Sequence, residues 1–197
     1  MKLSPGTIDL WGALLRELPE ARLLLKAPSL ADASVADRFR SLFYDQGIAA
    51  ERLELEGPSE LGQMMQRYGA IDIALDPTPY NGGTTTLQAL WMGVPVLTLK
   101  GGNFVSRMGA SFLTALGKPQ WIASDSSDFI AIARLLSDQR SELRQGRAAL
   151  RELMADSGLS DLERYTISFQ QLLRRMWQSH TQQSPQRLLL AEQLAAP

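Results

Sequence analysis

Residues 76–86 read DPTPYNGGTTT, and this run holds the residue types best suited to chemistry. Two prolines and two glycines lead out of an apolar segment into three consecutive threonines that can open a helix. Glycines lack a Cβ, so backbone N–H groups at Gly82 and Gly83 can approach an anion. A helix start adds unpaired N–H donors with a partial positive charge, and the hydroxyls of Thr84 and Thr85 add more. With Asn81, these residues form a candidate diphosphate cradle. They suit equally well a tight turn at Asn81-Gly82-Gly83 followed by Thr84 as a helix cap, because the pattern is neither G-x-G-x-x-G nor a Walker loop. A second glycine-rich turn, GGNFVSR at 101–107, reads as a turn with a solvated arginine. Asp72 and Asp76 stand four apart in one strand, roughly 13 Å, too far for paired acid-base work. Asp76 is expected instead to tie down its own loop.

The elements that must position this turn are legible from periodicity. IDLWGALLRE at 8–17 has helical spacing and stops near Pro19, ARLLLKAP is a short strand closed by Pro28, and residues 31–47 are helical. RLELEG at 52–57 alternates as a strand does, and the helix after it is expected to open at Pro58 and Ser59. IDIALDP at 71–77 is a strand, TTTLQALWMG a helix ended by Gly93, PVLTLKGG a strand, and 103–116 a helix. QWIAS is a last strand, followed by a helix capped by Asp125 or Ser126. Strands alternating with helices predict an α/β fold, a Rossmann-like doubly wound parallel sheet, whose ligands sit at the carboxyl ends of the strands. The charged run at 140–153 reads as a solvated helix. Met64, Met65 and the four tryptophans read as core.

Composition sets the outer bounds. A chain of 197 residues, 45% hydrophobic, can bury a core of ordinary size. Its formal charge of −1 supplies no global field for nucleic acid or anionic lipid. With no cysteine and one histidine, His180, thiolate and multi-histidine metal sites are excluded. No signal-like or membrane-spanning run is apparent, so a cytoplasmic protein is expected, with neither nucleic acid nor membrane as partner. The polar stretch after Trp177 places a boundary there: a Rossmann-like domain over 1–178, then a polar linker and loosely attached tail over 179–197.

The segment IDIALDPTPYNGGTTTLQALWMGVPVLTL, followed by SRMGASFLTALG and RYTISFQQLLRRMW, resembles the carboxyl-terminal half of the O-linked N-acetylglucosamine transferases and their bacterial relatives. These are family 41 glycosyltransferases, usually joined to tetratricopeptide repeats, and the match covers about residues 2–178. The resemblance implies the second, donor-binding domain of a GT-B glycosyltransferase, one that transfers N-acetylglucosamine or a related hexose from a UDP-sugar to Ser or Thr. It implies that Lys2 neutralises the diphosphate of the leaving group, that Thr84 and Thr85 donate to phosphates, and that Ser59 lies in the loop whose backbone reads the uracil. Arg67 would stand beside that base, and Gly83 falls where animal enzymes have a histidine. Metal and cofactor are not required on this reading.

Three positions depart from the family's pattern. Gln88 replaces a carboxylate that holds the ribose, Met64 a histidine that packs on the uracil, and Leu61 a lysine near the base. The first Rossmann-like domain with its catalytic histidine, the repeats and the acceptor side have no counterpart in these residues. The implied partners are therefore a UDP-sugar, a protein acceptor and an amino-terminal catalytic and repeat region. The competing reading is a non-catalytic nucleotide-sugar or protein-interaction module.

Overall fold

The computed structural model describes residues 3–194, and their side chains through residue 182. The first helix, α1 (Pro5–Glu17), starts where Ser4 accepts from the Thr7 amide and Pro5 occupies a position that needs no donor. Its apolar stripe buries Ile8, Leu10, Trp11, Leu14 and Leu15. Alternation then follows: β1 (Leu23–Lys26), α2 (Ala33–Asp45), β2 (Leu53–Glu56), α3 (Leu61–Arg67), β3 (Ala74–Leu75), α4 (Thr84–Trp91), β4 (Val96–Leu99), α5 (Met108–Ala115), β5 (Ile122–Ala123) and α6 (Ser126–Asp138). Two further helices, α7 (Arg140–Gln145) and α8 (Arg147–Ala155), complete the series.

Among the described residues all strand pairings are parallel, as the alternation predicts. β1 pairs with β2, Leu23 opposite Leu53. β3, β4 and β5 form a second group, with Ala74 opposite Val96 and Thr98 opposite Ile122. Helical crossovers cover parallel strands on both faces, so Val96, Leu97 and Thr98 are all buried. The strands are shorter than expected, and the sheet is divided. Pro95 and Pro77 bracket β3 and β4 and have no N–H to give, which limits the ladder at both ends. Among the described residues no pairing joins β1 to β3. A cavity of about 1350 Å³ is lined by both Leu23–Lys26 and Ile71–Leu75, together with Trp11, whose buried Nε1 has no hydrogen-bond partner.

Several local expectations are corrected. The third helix opens at Leu61, leaving Pro58 and Ser59 in the preceding loop, and its Glu60 cap makes no side-chain bond. The helix expected from Asn103 is two pieces. Asn103 and Ser106 cap each other across a 3-10 turn, and α5 begins only after Arg107. The charged run at 140–153 breaks at Gly146, and α8 buries Leu150 and Met154 rather than standing in solvent. Arg147 donates to the carbonyls of Tyr68, Gly69 and Ile71. Gly93 has φ +72°, and a Cβ there would lie 2.4 Å from the Arg147 carbonyl oxygen, so only glycine lets α8 approach the end of α4. Trp11 and Trp121 are core, whereas Trp91 is half-buried beneath the Arg151 guanidinium at 5.0 Å. Asp125 caps α6 as expected, accepting from the Asp128 amide.

The chain divides into two compact units, Met1–Ala155 and Asp156–Pro197. The second is built on α9 (Leu162–Leu194), which runs across the boundary placed at 178/179. Tyr165 and Phe169 stack on it at 5.9 Å, and Trp177 is exposed, not core. His180 is exposed beside Trp177. The leucines at 188–190 lie outside the residues whose side chains are described.

Candidate functional site

The turn after β3 is built on a buried carboxylate. Asp76, 3% exposed, accepts from the Gly82 amide at 2.6 Å and the Thr86 hydroxyl at 3.2 Å through one oxygen, and from the Thr98 hydroxyl at 2.9 Å through the other. The expected role of Asp76, tying down its loop, is thereby met. Gly82 sits so close that a Cβ would lie 2.3 Å from Thr86 Oγ1 and 2.8 Å from Thr85 Oγ1. Asn81 is wholly buried: its amide donates to the Val105 carbonyl at 2.9 Å and its Nδ2 to Pro77 at 2.9 Å. Its Oδ1 accepts from Gly109 at 3.4 Å. Asn81 and Gly82, read from the sequence as part of the anion-binding surface, thus face inward. Buried polar groups need partners, and these have found them within the protein.

The outward donors are those that follow. Thr84 and Thr85 are exposed and Gly83 is half-buried. The first helical bond of α4 runs from Leu87 to the Gly83 carbonyl at 3.2 Å, so the amides of Thr84, Thr85 and Thr86 have no intrahelical acceptor. Gly83 occupies the cap position and makes no side-chain cap, which makes Thr84 the first helical residue and not the cap the sequence suggested. A Cβ on Gly83 would meet only Met108 Cε at 3.5 Å, an ordinary contact. Gln88, half-buried, lies one turn beyond Thr84 and Thr85 on their face of α4.

Two residues of the first turn of α1 hold the same loop. Ser4 Oγ donates to the Thr78 carbonyl at 2.7 Å and Thr7 Oγ1 donates to it as well, while the Thr78 amide donates to Thr7 Oγ1 at 3.2 Å. Lys2 lies outside the described residues, two positions before Ser4.

The other side of the site gathers on β1, β2 and α3. Ser59 is exposed in its loop, and Leu61 is exposed. Arg67 donates from Nε to Glu56 at 2.7 Å and from its terminal nitrogen to Glu54. Lys26 Nζ donates to Glu56 at 3.0 Å and to the Gly57 carbonyl at 3.0 Å. Burial pushes the Glu56 carboxyl up, but the hydrogen bonds from Lys26 and Arg67 and their charges outweigh it and hold the pKa below its ordinary value. The Tyr68 hydroxyl reaches the Thr85 carbonyl at 3.3 Å, and burial raises its pKa. Lys26, Glu54, half-buried Met64, Arg67, Tyr68 and Thr85 all line the cavity between the strand groups. Among the described residues no three His, Cys, Asp or Glu side chains gather as a metal site.

Residues 1–169 match the family described as Glycosyl transferase family 41. The chain belongs to that family. It is 33% identical over 180 residues to a probable UDP-N-acetylglucosamine–peptide N-acetylglucosaminyltransferase SPINDLY of Petunia hybrida, covering 91% of this chain and 19% of the relative. It is 28% identical over 185 residues to the UDP-N-acetylglucosamine–peptide N-acetylglucosaminyltransferase of Caenorhabditis elegans, covering 93% of this chain and 16% of the relative. A solved Thermobaculum terrenum O-GlcNAc transferase mutant superposes with a TM-score of 0.83 at 34% identity, over 93% of this chain and 35% of that one. The family 41 chain thus spans about one fifth of the length of its plant relatives, and it shares its α/β fold with a solved O-GlcNAc transferase.

Within the family 41 chain, some site-building residues escaped the sequence reading. Thr98 had a signal, since it is the one polar residue in the buried strand VLTL. Ser4 and Thr7 had none, because their partner is 74 and 71 residues away. The pairing of Glu54 and Glu56 with Arg67 had no signal either, because alternation shows a strand and not which partner its charged residues meet.

Proposed function

We propose that this chain is the donor-binding part of a protein O-glycosyltransferase, transferring N-acetylglucosamine or a related hexose from UDP to Ser or Thr. The observation that carries this is the Asp76-braced turn, which leaves Thr84, Thr85 and the uncapped first turn of α4 exposed at the carboxyl end of β3. A departing UDP gains negative charge, and donors fixed before the reaction stabilise it without reorganising. Asp76 supplies that fixity from below. Lys2 is assigned the neutralising cation, a role taken from the family resemblance, while Ser4 and Thr7 bond to Thr78 of the cradle loop. Gln88 would meet the ribose with an amide instead of a carboxylate, a weaker partner for two hydroxyls. Ser59, Met64 and Arg67 stand on the base side, and Gly83 keeps only its backbone donor.

On this reading binding needs neither metal nor cofactor. The acceptor protein, an amino-terminal catalytic and repeat region and a cytoplasmic location belong to the same proposal; no helix among the described residues is long and apolar enough to cross a membrane. Calorimetry of the chain with UDP, with and without EDTA, is the test. Binding unchanged by EDTA supports the reading, and a strict metal requirement defeats its metal-free form. Gln88 and Met64 favour a second reading, a non-catalytic nucleotide-sugar module. Restoring Gln88→Asp separates the two: tighter donor binding together with transfer in a longer protein favours the enzyme, and tighter binding without transfer favours the module.

A further inference from the structure

Four charged side chains at the ends of β1, β2 and α3 form one closed network that the cradle does not use. Glu56 is its centre, because its two oxygens divide between Lys26 Nζ at 3.0 Å and Arg67 Nε at 2.7 Å. Lys26 uses a further proton on the Gly57 carbonyl at 3.0 Å, the first peptide of the loop that contains Ser59. Arg67 uses its second edge on Glu54. Two acids and two bases balance, so the group adds no net field. What it adds is position.

Resting on the function proposed above, we propose that Glu56 is the positioning residue for base recognition: through Lys26 it fixes the peptide that opens the 57–60 loop, and through Arg67 it fixes the end of α3 beside the cavity. At its start the ladder bond from the Ala27 amide to the Glu56 carbonyl, 3.0 Å, also holds the loop, but Pro58 to Glu60 have fewer anchors. Pro58 and Ser59 lie outside any helix, α3 begins without a side-chain cap, and Pro58, Ser59, Glu60 and Leu61 are all exposed. A backbone that is to read a planar base by hydrogen bonds must be held to a fraction of an ångström, and Lys26 supplies that from the neighbouring strand. Arg67 cannot act as a free cation towards phosphate while two carboxylates hold it. It presents a neutralised, oriented guanidinium to the cavity, suited to hydrogen bonding and stacking on a base.

The test compares UDP with ADP, which shares the diphosphate and ribose and differs in the base. Calorimetry on the full chain should show UDP preferred over ADP. Glu56→Gln, which keeps the shape and removes the charge, should weaken UDP roughly tenfold, as expected for the loss of charge-assisted bonds, and leave ADP nearly unchanged. Lys26→Met should act in the same direction, and Thr85→Ala should lower both ligands. Circular dichroism and thermal unfolding establish that each variant is folded. If both network variants bind UDP as the unaltered chain does, or lose UDP and ADP equally, Glu56 does not position the base and the inference fails while the donor-site reading stands. If the unaltered chain binds no UDP, the donor-site reading fails and this inference with it.

Discussion

At the scale of single residues, the site works by division between buried and exposed neighbours. Asp76, Gly82, Asn81 and Thr86 spend their polar atoms inside the turn, which frees Thr84 and Thr85 to face solvent. Thr84→Ala and Thr85→Ala should each weaken UDP by about 1 kcal/mol or more, the usual worth of a hydrogen bond to a charged group, and leave uridine affinity nearly unchanged. Calorimetry with both ligands checks this; if neither variant alters UDP binding, the threonines merely start a helix. Gly82→Ala should behave differently. Its Cβ would press on Thr86 Oγ1 and Asp76, so a loss of about 1–3 kcal/mol in stability is expected by thermal unfolding, with UDP binding reduced through the displaced turn. The phosphate motif was legible as DPTPYNGGTTT because glycine, proline and threonine each announce a backbone geometry. Which of its residues face outward was not legible, since that depends on Thr98 and Val105, which lie 22 and 24 positions beyond Asp76 and Asn81.

Elements show the same contrast between local and distant causes. Alternating strands and helices gave parallel pairing, because apolar period and breaker residues are local. Helix α8 was misread as solvated, because its burial is decided by one close approach across sequence, Arg147 against Gly93. Gly93→Ala should therefore cost about 3 kcal/mol, combining the left-handed backbone with the clash on Arg147, and denaturant unfolding will measure it. Loss of less than about 0.5 kcal/mol, the usual range for surface positions, would show that α8 is not anchored there. The network joining β1, β2 and α3 makes a pH prediction. Because the folded-state pKa of Glu56 is depressed, its contribution to stability is present above the unfolded value and is lost as pH falls through the folded one. The stability deficit of Glu56→Gln should thus be full at neutral pH and vanish in acid, where the natural side chain is itself protonated. A deficit that grows as pH falls contradicts the depressed value.

At the scale of the whole molecule, the chain superposes on 35% of a solved O-GlcNAc transferase chain. Sugar transfer needs an acceptor hydroxyl aligned on the anomeric carbon as well as stabilisation of the leaving diphosphate, and the proposed site provides the second. The 197 residues alone should transfer no sugar from labelled UDP-sugars to a Ser/Thr-rich peptide; robust transfer would mean that they carry an acceptor site of their own. The bonds from Ser4 and Thr7 to Thr78 have a mechanical meaning as well. They lash the start of α1 to the same loop that presents Thr84, so a pull on residue 3 is a pull on the cradle, transmitted through five intervening residues of backbone. A variant that breaks the anchor, such as Thr7→Val, therefore releases the cradle loop from α1 without touching the cradle itself. Such a variant should weaken UDP while leaving the fold intact.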